Sequence, residues 1–289
     1  MKKCNVCKLD KDNKEFHKMS CAPDGIAYTC KSCSDIVSFN WSTKTLRGRL
    51  SRLCAGARQR CKKRNWIFGG SVEILEKMWE DQGGRCAYSG LPLSLHGDWQ
   101  ASLERKDPNR GYELDNICLI CLELNVSEQW SPEKIEFLKS LPRFEEVTYS
   151  DEIESFRYTA THKGDIDLVF LRKKLYSARG RAKKWLCGHR NMEDSICDLS
   201  LEDVVRLLNY QKGLCAYSGF KMSFIQGDDF SASLERINPR KGYYKDNLIL
   251  VCKIFNVGDH RVDSPKEHAT YPVWSKAKFE QFWNALHRV

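Results

Sequence analysis

A long internal repeat constrains this chain more than any other feature. Residues 86–90 read Cys-Ala-Tyr-Ser-Gly, and the same five residues return unchanged at 215–219. The 26 residues from Ala101 match the 26 from Ala232 at 14 positions without a gap. Because a long self-similar segment indicates two copies of one structural unit, the 289 residues favour two related domains over one large core.

The repeat continues on both sides of this segment and sets the predicted domain boundaries. Upstream, Ala57–Lys63 is similar to Ala178–Lys184. Downstream, Trp130-Ser131 and Trp274-Ser275 each begin an amphipathic segment, and a serine at that position predicts a helix N-cap. The predicted units are a small module, a first copy, an acidic linker and a second copy, at residues 1–40, 41–145, 146–167 and 168–289.

Each copy is predicted to contain two helices, a short hairpin, a loop and two further helices. The elements predicted for the first copy are helices at Leu46–Arg64 and Val72–Trp79 and short strands at Cys86–Leu95 and Ser102–Glu104. Asp115 and Asn116 are predicted to cap a following helix that carries Cys121 and Asn125. Residues 186–199 of the second copy have no counterpart in the first.

Two cysteine pairs near the start of the chain predict a zinc site. The cysteines of these two C-x2-C pairs are Cys4, Cys7, Cys30 and Cys33. Such a turn presents two thiolates to one ion, and zinc takes four ligands in a tetrahedron. His17 and Cys21 lie between the pairs and are the alternative ligands. We expect structural Zn²⁺ to supply much of the folding free energy of this module.

The charge distribution favours a polyanionic partner. Lys and Arg number 47 against 38 Asp and Glu, a formal net charge of +9. Between Phe39 and Val72 there are nine basic residues and no acidic one, and the second copy has a matching run after Asp167. Two equivalent basic helices suit two stretches of phosphate backbone, although a charge run can also be a solvated surface. The residues we assign to DNA binding are Arg58, Arg60, Lys62, Lys63, Arg179, Arg181, Lys183 and Lys184.

Hydropathy argues against a membrane protein. No apolar run approaches the roughly 20 residues that span a bilayer, and Met1 is followed by charge rather than by the apolar stretch of a secretory signal. We therefore expect an intracellular protein, cytoplasmic or nuclear, with no membrane partner. Its 14 cysteines would then be metal ligands or buried thiols rather than disulfides.

The repeated segment carries the most specific motif in the chain. Both copies read Ser-Leu-Glu-Arg, then Gly-Tyr, then Asp-Asn, then Cys-x3-Asn. This pattern resembles the HNH, or ββα-metal, endonucleases, and a zinc module ahead of it is similar to the PacI-like members. The resemblance implies an α+β fold with two tandem ββα-metal domains that form a pseudo-dimer behind the Cys4 module.

The resemblance also implies roles for single residues. One Mg²⁺ or Mn²⁺ per copy would be held by an acid and an asparagine, which are Glu104 and Asn125 in the first copy and Glu235 and Asn256 in the second. The asparagines that would brace the motif loop are Asn116 and Asn247. The residues that stand where the family usually has a histidine base are Arg105 and Arg236.

That arginine departs from the common pattern. A guanidinium stays protonated and cannot act as a base, but it can grip a phosphate and stabilise transition-state charge. The resemblance to the PacI-like members makes Tyr112 and Tyr243 the candidate proton acceptors, and a water activated by the cation is the alternative.

The remaining cysteines of the motif, such as Cys86 and Cys121, are interpreted as buried thiols at a former metal site. Cys187, His189 and Cys197 would need a fourth ligand to bind zinc.

These features together predict a sequence-specific, metal-dependent endonuclease that breaks both strands of DNA, in a restriction or homing role. Because the two copies are fused in one chain, each has a high effective concentration of the other. Pairing of the two sites then needs no second chain, so we expect a monomer. Two alternatives stay open. The chain is a nucleic-acid-binding protein that has lost catalysis, or it is a nickase with one active copy. For any single copy, the acid and arginine can also be an ordinary surface ion pair beside turn and cap residues.

Overall fold

The computed structural model describes residues 1–125, 130–143, 167–184, 196–257 and 273–287. It is a mixed α+β structure whose sheets are small and two-stranded. The strands are β1 (Lys2–Lys3), β2 (Asp10–Lys11), β3 (Phe16–Lys18), β4 (Ile26–Cys30), β5 (Ala101–Arg105), β6 (Ile117–Cys121), β7 (Ala232–Arg236) and β8 (Leu248–Cys252). The helices are α1 (Lys31–Lys44), α2 (Leu46–Arg64), α3 (Val72–Asp81), α4 (Pro132–Ser140), α5 (Leu168–Lys184), α6 (Leu201–Tyr210) and α7 (Lys276–Leu286).

The chain divides into two compact units, Met1–Asn125 and Val126–Val289. In the first unit, β1 pairs with β2 and β3 with β4, both antiparallel. Among the described residues, no helix has the length and apolar character needed to cross a bilayer.

Helix α2 has the bounds that the sequence predicts. The Thr45 hydroxyl accepts a hydrogen bond from the N–H of Gly48 at 3.1 Å and caps its first turn. A side chain at 48 would place Cβ 2.2 Å from the carbonyl oxygen of Trp41, so glycine permits the tight corner after α1. Asn65 ends α2 in the left-handed conformation, at φ 53°. The buried side chains recur at helical spacing at Leu50, Cys54, Ala57 and Cys61.

Strands β5 and β6 form the hairpin that carries the motif. Their register runs from Ala101 opposite Cys121 to Arg105 opposite Ile117. The predicted helix after Asp115-Asn116 is therefore wrong, because this segment is β6 followed by a single 3-10 turn. All five residues of β6 are buried, and cross-strand pairing of isoleucine-rich sequence outweighs the local capping signal. The predicted strand at Cys86–Leu95 is instead a turn with two isolated bridging pairs, Arg85 with Pro92 and Ser94 with Gln100.

A glutamine after α3 fastens that helix to the hairpin. Gln82 donates its Nε2 hydrogen to the carbonyl of Leu119 at 2.8 Å, and its Oε1 accepts the N–H of Leu119 at 2.9 Å. Gln211 makes the same pair with Leu250, at 2.8 Å for both bonds. Each bidentate contact saturates a backbone amide that the two-stranded sheet leaves unpaired.

The second unit repeats this arrangement with a larger aromatic core. Strands β7 and β8 pair in the same register as β5 and β6, from Ala232 opposite Cys252 to Arg236 opposite Leu248. The N–H of Lys278 donates to the Ser275 hydroxyl at 3.2 Å, which confirms the predicted N-cap of α7. The largest fully buried aromatic side chains of this unit are Trp274, Phe220, Phe255, Phe279 and Phe282.

Helix α4 packs within the second unit, although the repeat assigns it to the first copy. Ser131 caps it as predicted, accepting the N–H of Lys134 at 3.2 Å. The Trp130 ring lies 5.5 Å from the Phe282 ring, centroid to centroid. Arg143 pairs with both carboxylate oxygens of Glu280, at 3.0 and 2.5 Å. The compact units thus divide after residue 125, whereas the repeat-based boundary lies at residue 145. The predicted linker lies outside the described residues except for Asp167.

The insertion in the second copy is shorter than the sequence predicts. Ile196 accepts the N–H of Tyr243 and Asp198 donates to the Tyr243 carbonyl, at 2.9 and 3.0 Å. Residues 67–69 make the same contacts with Tyr112 in the first copy. Residues 196–198 are therefore the counterpart of 67–69, and Cys187 and His189 lie outside the described residues.

Candidate functional site

The four cysteines of the N-terminal module come together in one cluster. The sulfur atoms of Cys4, Cys7, Cys30 and Cys33 lie within 4.8 Å of one another. The N–H groups of Cys30 and Val6 donate to the Cys4 sulfur at 3.3 and 3.4 Å. Four convergent thiols are the ligand set that structural zinc prefers. The cluster includes neither His17 nor Cys21, and both of those side chains are exposed.

The thiols of this cluster have divergent acidities. The backbone N–H of Cys30 lowers the pKa of Cys4 to about 6. For Cys33, a hydrogen bond with the Cys30 side chain and burial together raise the pKa to about 12. Crowded thiolates disfavour one another's ionisation, and a divalent cation removes that penalty. The cluster is therefore suited to hold Zn²⁺.

On the first hairpin, Glu104 and Asn125 lie beside the same face. Successive side chains of a strand alternate between faces, so Ser102 and Glu104 share one. Asn125 donates its Nδ2 hydrogens to the Ser102 hydroxyl at 2.9 Å and to the Leu103 carbonyl at 3.1 Å. Both bonds use the amide nitrogen, so they hold Asn125 against the strand face that Ser102 shares with Glu104, and neither bond uses the amide oxygen Oδ1.

The second hairpin repeats this arrangement around Glu235. Asn256 donates to the Ser233 hydroxyl and to the Leu234 carbonyl, at 2.9 Å in both cases. Glu235 is only 9% exposed. Burial raises the pKa of its carboxyl to about 7, and the nearby Arg236 and Arg181 guanidinium groups partly oppose this rise. A carboxylate and an amide oxygen are donors that fit Mg²⁺ or Mn²⁺.

The arginine after each acid is anchored to the motif loop. Nη1 of Arg105 donates to the carbonyls of Pro108 and, at 3.0 Å, of Arg110. The Arg105 guanidinium also lies 4.7 Å from the ring centroid of Trp66 and 5.5 Å from that of Tyr112. In the second copy, Nη1 of Arg236 donates to the loop carbonyls of Pro239 and Lys241, at 2.7 and 3.0 Å. These contacts fix the guanidinium before any ligand arrives.

The Gly-Tyr pair of the motif docks the loop on the segment that follows α2. A Cβ at Gly111 would lie 2.6 Å from the Ile67 carbonyl oxygen, so only glycine fits there. The N–H of Tyr112 donates to that same carbonyl at 3.1 Å. Tyr112 is thereby buried, and its hydroxyl accepts a hydrogen bond from Nε of Arg60 at 2.7 Å. Tyr243 accepts from Nε of Arg181 at 2.8 Å.

The middle asparagine of each motif holds the loop closed. Asn116 donates to the carbonyls of Asp107 and Gly111, at 3.1 and 2.8 Å, and accepts the N–H of Asp107 at 2.8 Å. Asn247 makes the same three bonds in the second copy. Both side chains are buried. The loop that carries Gly-Tyr is therefore built identically in the two copies.

The other basic residues assigned to DNA binding are less constrained. Arg58, Lys62, Lys63 and Lys183 are exposed, as a phosphate-contacting surface requires. Nη2 of Arg179 donates to the Leu199 carbonyl at 2.7 Å. The side chain of Lys184 lies outside the described residues.

The sequence did not predict a role for two tyrosines, one in each copy, that the structure places near the acids. Tyr217 is buried, and both its burial and the negative charge of Glu235 raise its pKa. In the first copy, Tyr88 hydrogen-bonds with Cys118, which lies opposite Glu104 in the hairpin register. Both tyrosines belong to the repeated Cys-Ala-Tyr-Ser-Gly turn, and its identity in the two copies was the available signal.

The cysteines of that turn are buried thiols. The N–H of Cys121 donates to the Cys86 sulfur at 3.3 Å, and the N–H of Cys252 to the Cys215 sulfur at 3.2 Å. Ser89 stands where a C-x2-C pair would have its second cysteine. Within the described part of the chain, the N-terminal cluster is the only convergent group of three or more His, Cys, Asp or Glu ligands.

Comparison with known proteins returned no relative. No protein-family model, curated protein or solved structure matches this chain.

Proposed function

We propose that the chain is a metal-dependent endonuclease of the HNH, or ββα-metal, type, with one active site on each hairpin. Its substrate is double-stranded DNA, and the two sites cut one strand each. Zn²⁺ in the four-cysteine cluster has a structural role. Mg²⁺ or Mn²⁺ at Glu104 with Asn125, and at Glu235 with Asn256, has a catalytic role.

The observation that carries this proposal is the identical support of the two hairpins. In both copies the asparagine amide is fixed by the same serine hydroxyl and strand carbonyl, within 0.2 Å. A surface ion pair in one copy needs no such support, and exposed pairs contribute little to stability. Two copies of a fixed carboxylate, amide and guanidinium set suit a reaction that occurs twice per binding event.

In this proposal each element shared by the two sites has a separate catalytic role. A bound divalent cation supplies Lewis-acid stabilisation of charge at the scissile phosphate. Arg105 and Arg236 orient the phosphate and stabilise its developing charge. Tyr112 and Tyr243 are the predicted proton acceptors. Burial raises the pKa of Tyr217, so Tyr217 and its counterpart Tyr88 form a second pair that is suited to donate a proton rather than to accept one. Separate tyrosine-to-phenylalanine changes distinguish the two pairs, because only the pair that transfers a proton should slow the chemical step.

The alternatives give different products in one assay. Purified protein is incubated with a supercoiled plasmid of varied sequence, with and without Mg²⁺ or Mn²⁺. Linear fragments with defined ends that need the cation support a two-site endonuclease. Nicked circles alone support a nickase with one active copy. Intact plasmid held in a salt-sensitive complex supports a DNA-binding protein without catalysis and contradicts the proposal.

A further inference from the structure

We propose that each copy holds one phosphodiester group of DNA in a pair of arginines assembled on a single tyrosine ring. In the first copy this arginine–tyrosine clamp consists of Arg60, Tyr112 and Arg105. In the second copy it consists of Arg181, Tyr243 and Arg236. The proposal deepens the proposed function, on which it rests. It makes Arg60 and Arg181 part of the site rather than general contacts to the DNA backbone.

The two arginines of the first clamp reach the ring from different elements. Arg60 comes from α2 and donates Nε to the Tyr112 hydroxyl at 2.7 Å. Its guanidinium carbon lies 5.1 Å from the ring centroid, and that of Arg105, from the end of β5, lies 5.5 Å away. Cation–π attraction extends to about 6 Å. The buried ring therefore fixes two positive charges in one place.

The second clamp has the same construction. Arg181 comes from α5 and donates Nε to the Tyr243 hydroxyl at 2.8 Å. The guanidinium carbons of Arg181 and Arg236 lie 5.5 and 5.2 Å from the Tyr243 ring centroid. Glu235 precedes Arg236 in β7, and its Oε1 accepts the backbone N–H of Arg236 at 3.1 Å. The clamp therefore adjoins the acid that we assign to the catalytic cation.

The positive charge of the first clamp suits an anionic ligand. Arg60, Arg105 and Arg181 form no ion pair with any residue in the described ranges, whereas Arg47, Arg110 and Arg143 are all paired with carboxylates. Two guanidinium groups held side by side repel each other unless a ligand neutralises them. The unpaired charge of Arg60 and Arg105 is thus a property of the first clamp and not of the arginines in general.

The remaining donors of the first clamp suit a phosphodiester. Arg60 uses Nε for the tyrosine, which leaves its two terminal nitrogens facing away from that bond. Arg105 uses Nη1 for the loop carbonyls, which leaves Nε and Nη2. A guanidinium fork matches the spacing of phosphate oxygens and binds them bidentately. Two such forks beside a cation site can hold both non-bridging oxygens of one phosphate.

The test compares Arg60→Gln and Arg181→Gln with a matched control. Arg206→Gln makes the same change on α6, where Arg206 is exposed and paired with Glu202. Single-turnover cleavage is followed at saturating protein on a duplex with a different label on each strand. We expect each clamp variant to slow one strand by about 100-fold, the magnitude typical of a lost oxyanion donor, while the control cuts both strands at the wild-type rate.

A general backbone contact would behave differently. If Arg60→Gln weakens DNA affinity but leaves the rate at saturation unchanged on both strands, the clamp proposal is overturned. Equal slowing of both strands by one variant also overturns it. Arg60→Lys keeps the charge but not the fork, so we expect it to recover less than a tenth of the lost rate. Thermal unfolding of each variant checks that the fold is retained.

A second readout separates failure of the clamp from failure of the proposed function. If wild-type protein cuts no DNA, arginine Nε–H resonances are followed by NMR while the dinucleotide TpT, a simple phosphodiester, is added. Shifts confined to the resonances that Arg60→Gln, Arg105→Gln, Arg181→Gln or Arg236→Gln removes or alters support the clamp without catalysis. Shifts spread over exposed arginines such as Arg206, or no shift up to millimolar TpT, overturn it.

Discussion

The N-terminal module and the two hairpins differ in what holds their polar side chains together. In the module, four thiols converge, and the apolar cluster around them comprises little more than Phe16 and Ile26. In the hairpins, the site residues are fixed by hydrogen bonds to strands and loops that rest on a packed core. Under the proposed function, metals would therefore have two different roles in this chain. Removing Zn²⁺ from the thiol ligands should unfold the module. Removing Mg²⁺ or Mn²⁺ from the proposed oxygen ligands should abolish cleavage and leave the fold intact.

The largest expected effect is the loss of zinc and of the folded structure in the N-terminal module alone. Cys33→Ala removes one of four thiols, so we expect the chain to lose its zinc and residues 1–30 to become sensitive to protease. The binding free energy lost is on the order of 10 kcal/mol. Metal analysis and limited proteolysis measure both. Cys21→Ala is the control, because Cys21 is exposed and outside the cluster. Full zinc occupancy in the Cys33 variant would rule out the four-thiol site.

The next effect separates chemistry from fold in the hairpins. Glu104→Gln and Glu235→Gln should each slow metal-dependent cleavage of one strand by at least about 1,000-fold, or about 4 kcal/mol. Strand-labelled duplex and denaturing gels give the two rates. Neither variant should release zinc or lower the thermal midpoint. Glu202→Gln, on the surface of α6, is the matched control. Loss of both strands' cleavage in a single variant would show that the sites do not act separately.

A smaller effect tests the loop brace that the copies share. Asn116→Ala and Asn247→Ala each remove three hydrogen bonds from a buried loop. Unsatisfied buried groups make each variant less stable by about 2–4 kcal/mol. Urea unfolding measures the change. Asn109→Ala, on the exposed part of the same loop, should change stability by less than about 0.5 kcal/mol. A marked inequality between the two copies would contradict their common construction.

The smallest effect is confined to the first copy. Trp66 lies over the Arg105 guanidinium at 4.7 Å, whereas the residue before Ile196 in the second copy is a serine, Ser195. Trp66→Ala should remove about 0.5–1 kcal/mol of cation–π stabilisation and slow one strand by about two- to five-fold. Strand-resolved rates decide this, with the strand cut by the second copy as the internal reference. Equal slowing of both strands would place Trp66 outside the first site.

Part of this picture was readable from the sequence. The bounds of α2 and the caps at Ser131 and Ser275 follow from local propensity and spacing. The cysteine pairs predicted the four-thiol cluster, because a C-x2-C turn is a local geometry. The repeat also predicted that the two hairpins would be built alike.

The rest depends on contacts between distant segments. Asp115-Asn116 resembles a helix cap, but pairing with β5 makes the following residues a strand. The approach of Tyr217 to Glu235 depends on how the turn packs against the hairpin. The bond from Arg60 to Tyr112 joins residues 52 positions apart. The assignment of α4 to the second unit is also non-local, because it follows from aromatic packing and not from the repeat.

The central claim is that one soft-ligand site and two hard-ligand sites coexist in this chain. Crystals grown with Mn²⁺ and a DNA duplex allow anomalous diffraction to locate each metal by element. We expect zinc among Cys4, Cys7, Cys30 and Cys33, and one manganese on each hairpin, next to Glu104 with Asn125 and next to Glu235 with Asn256. Manganese at neither hairpin would contradict the claim, and manganese at one hairpin alone would reduce it to a single active copy.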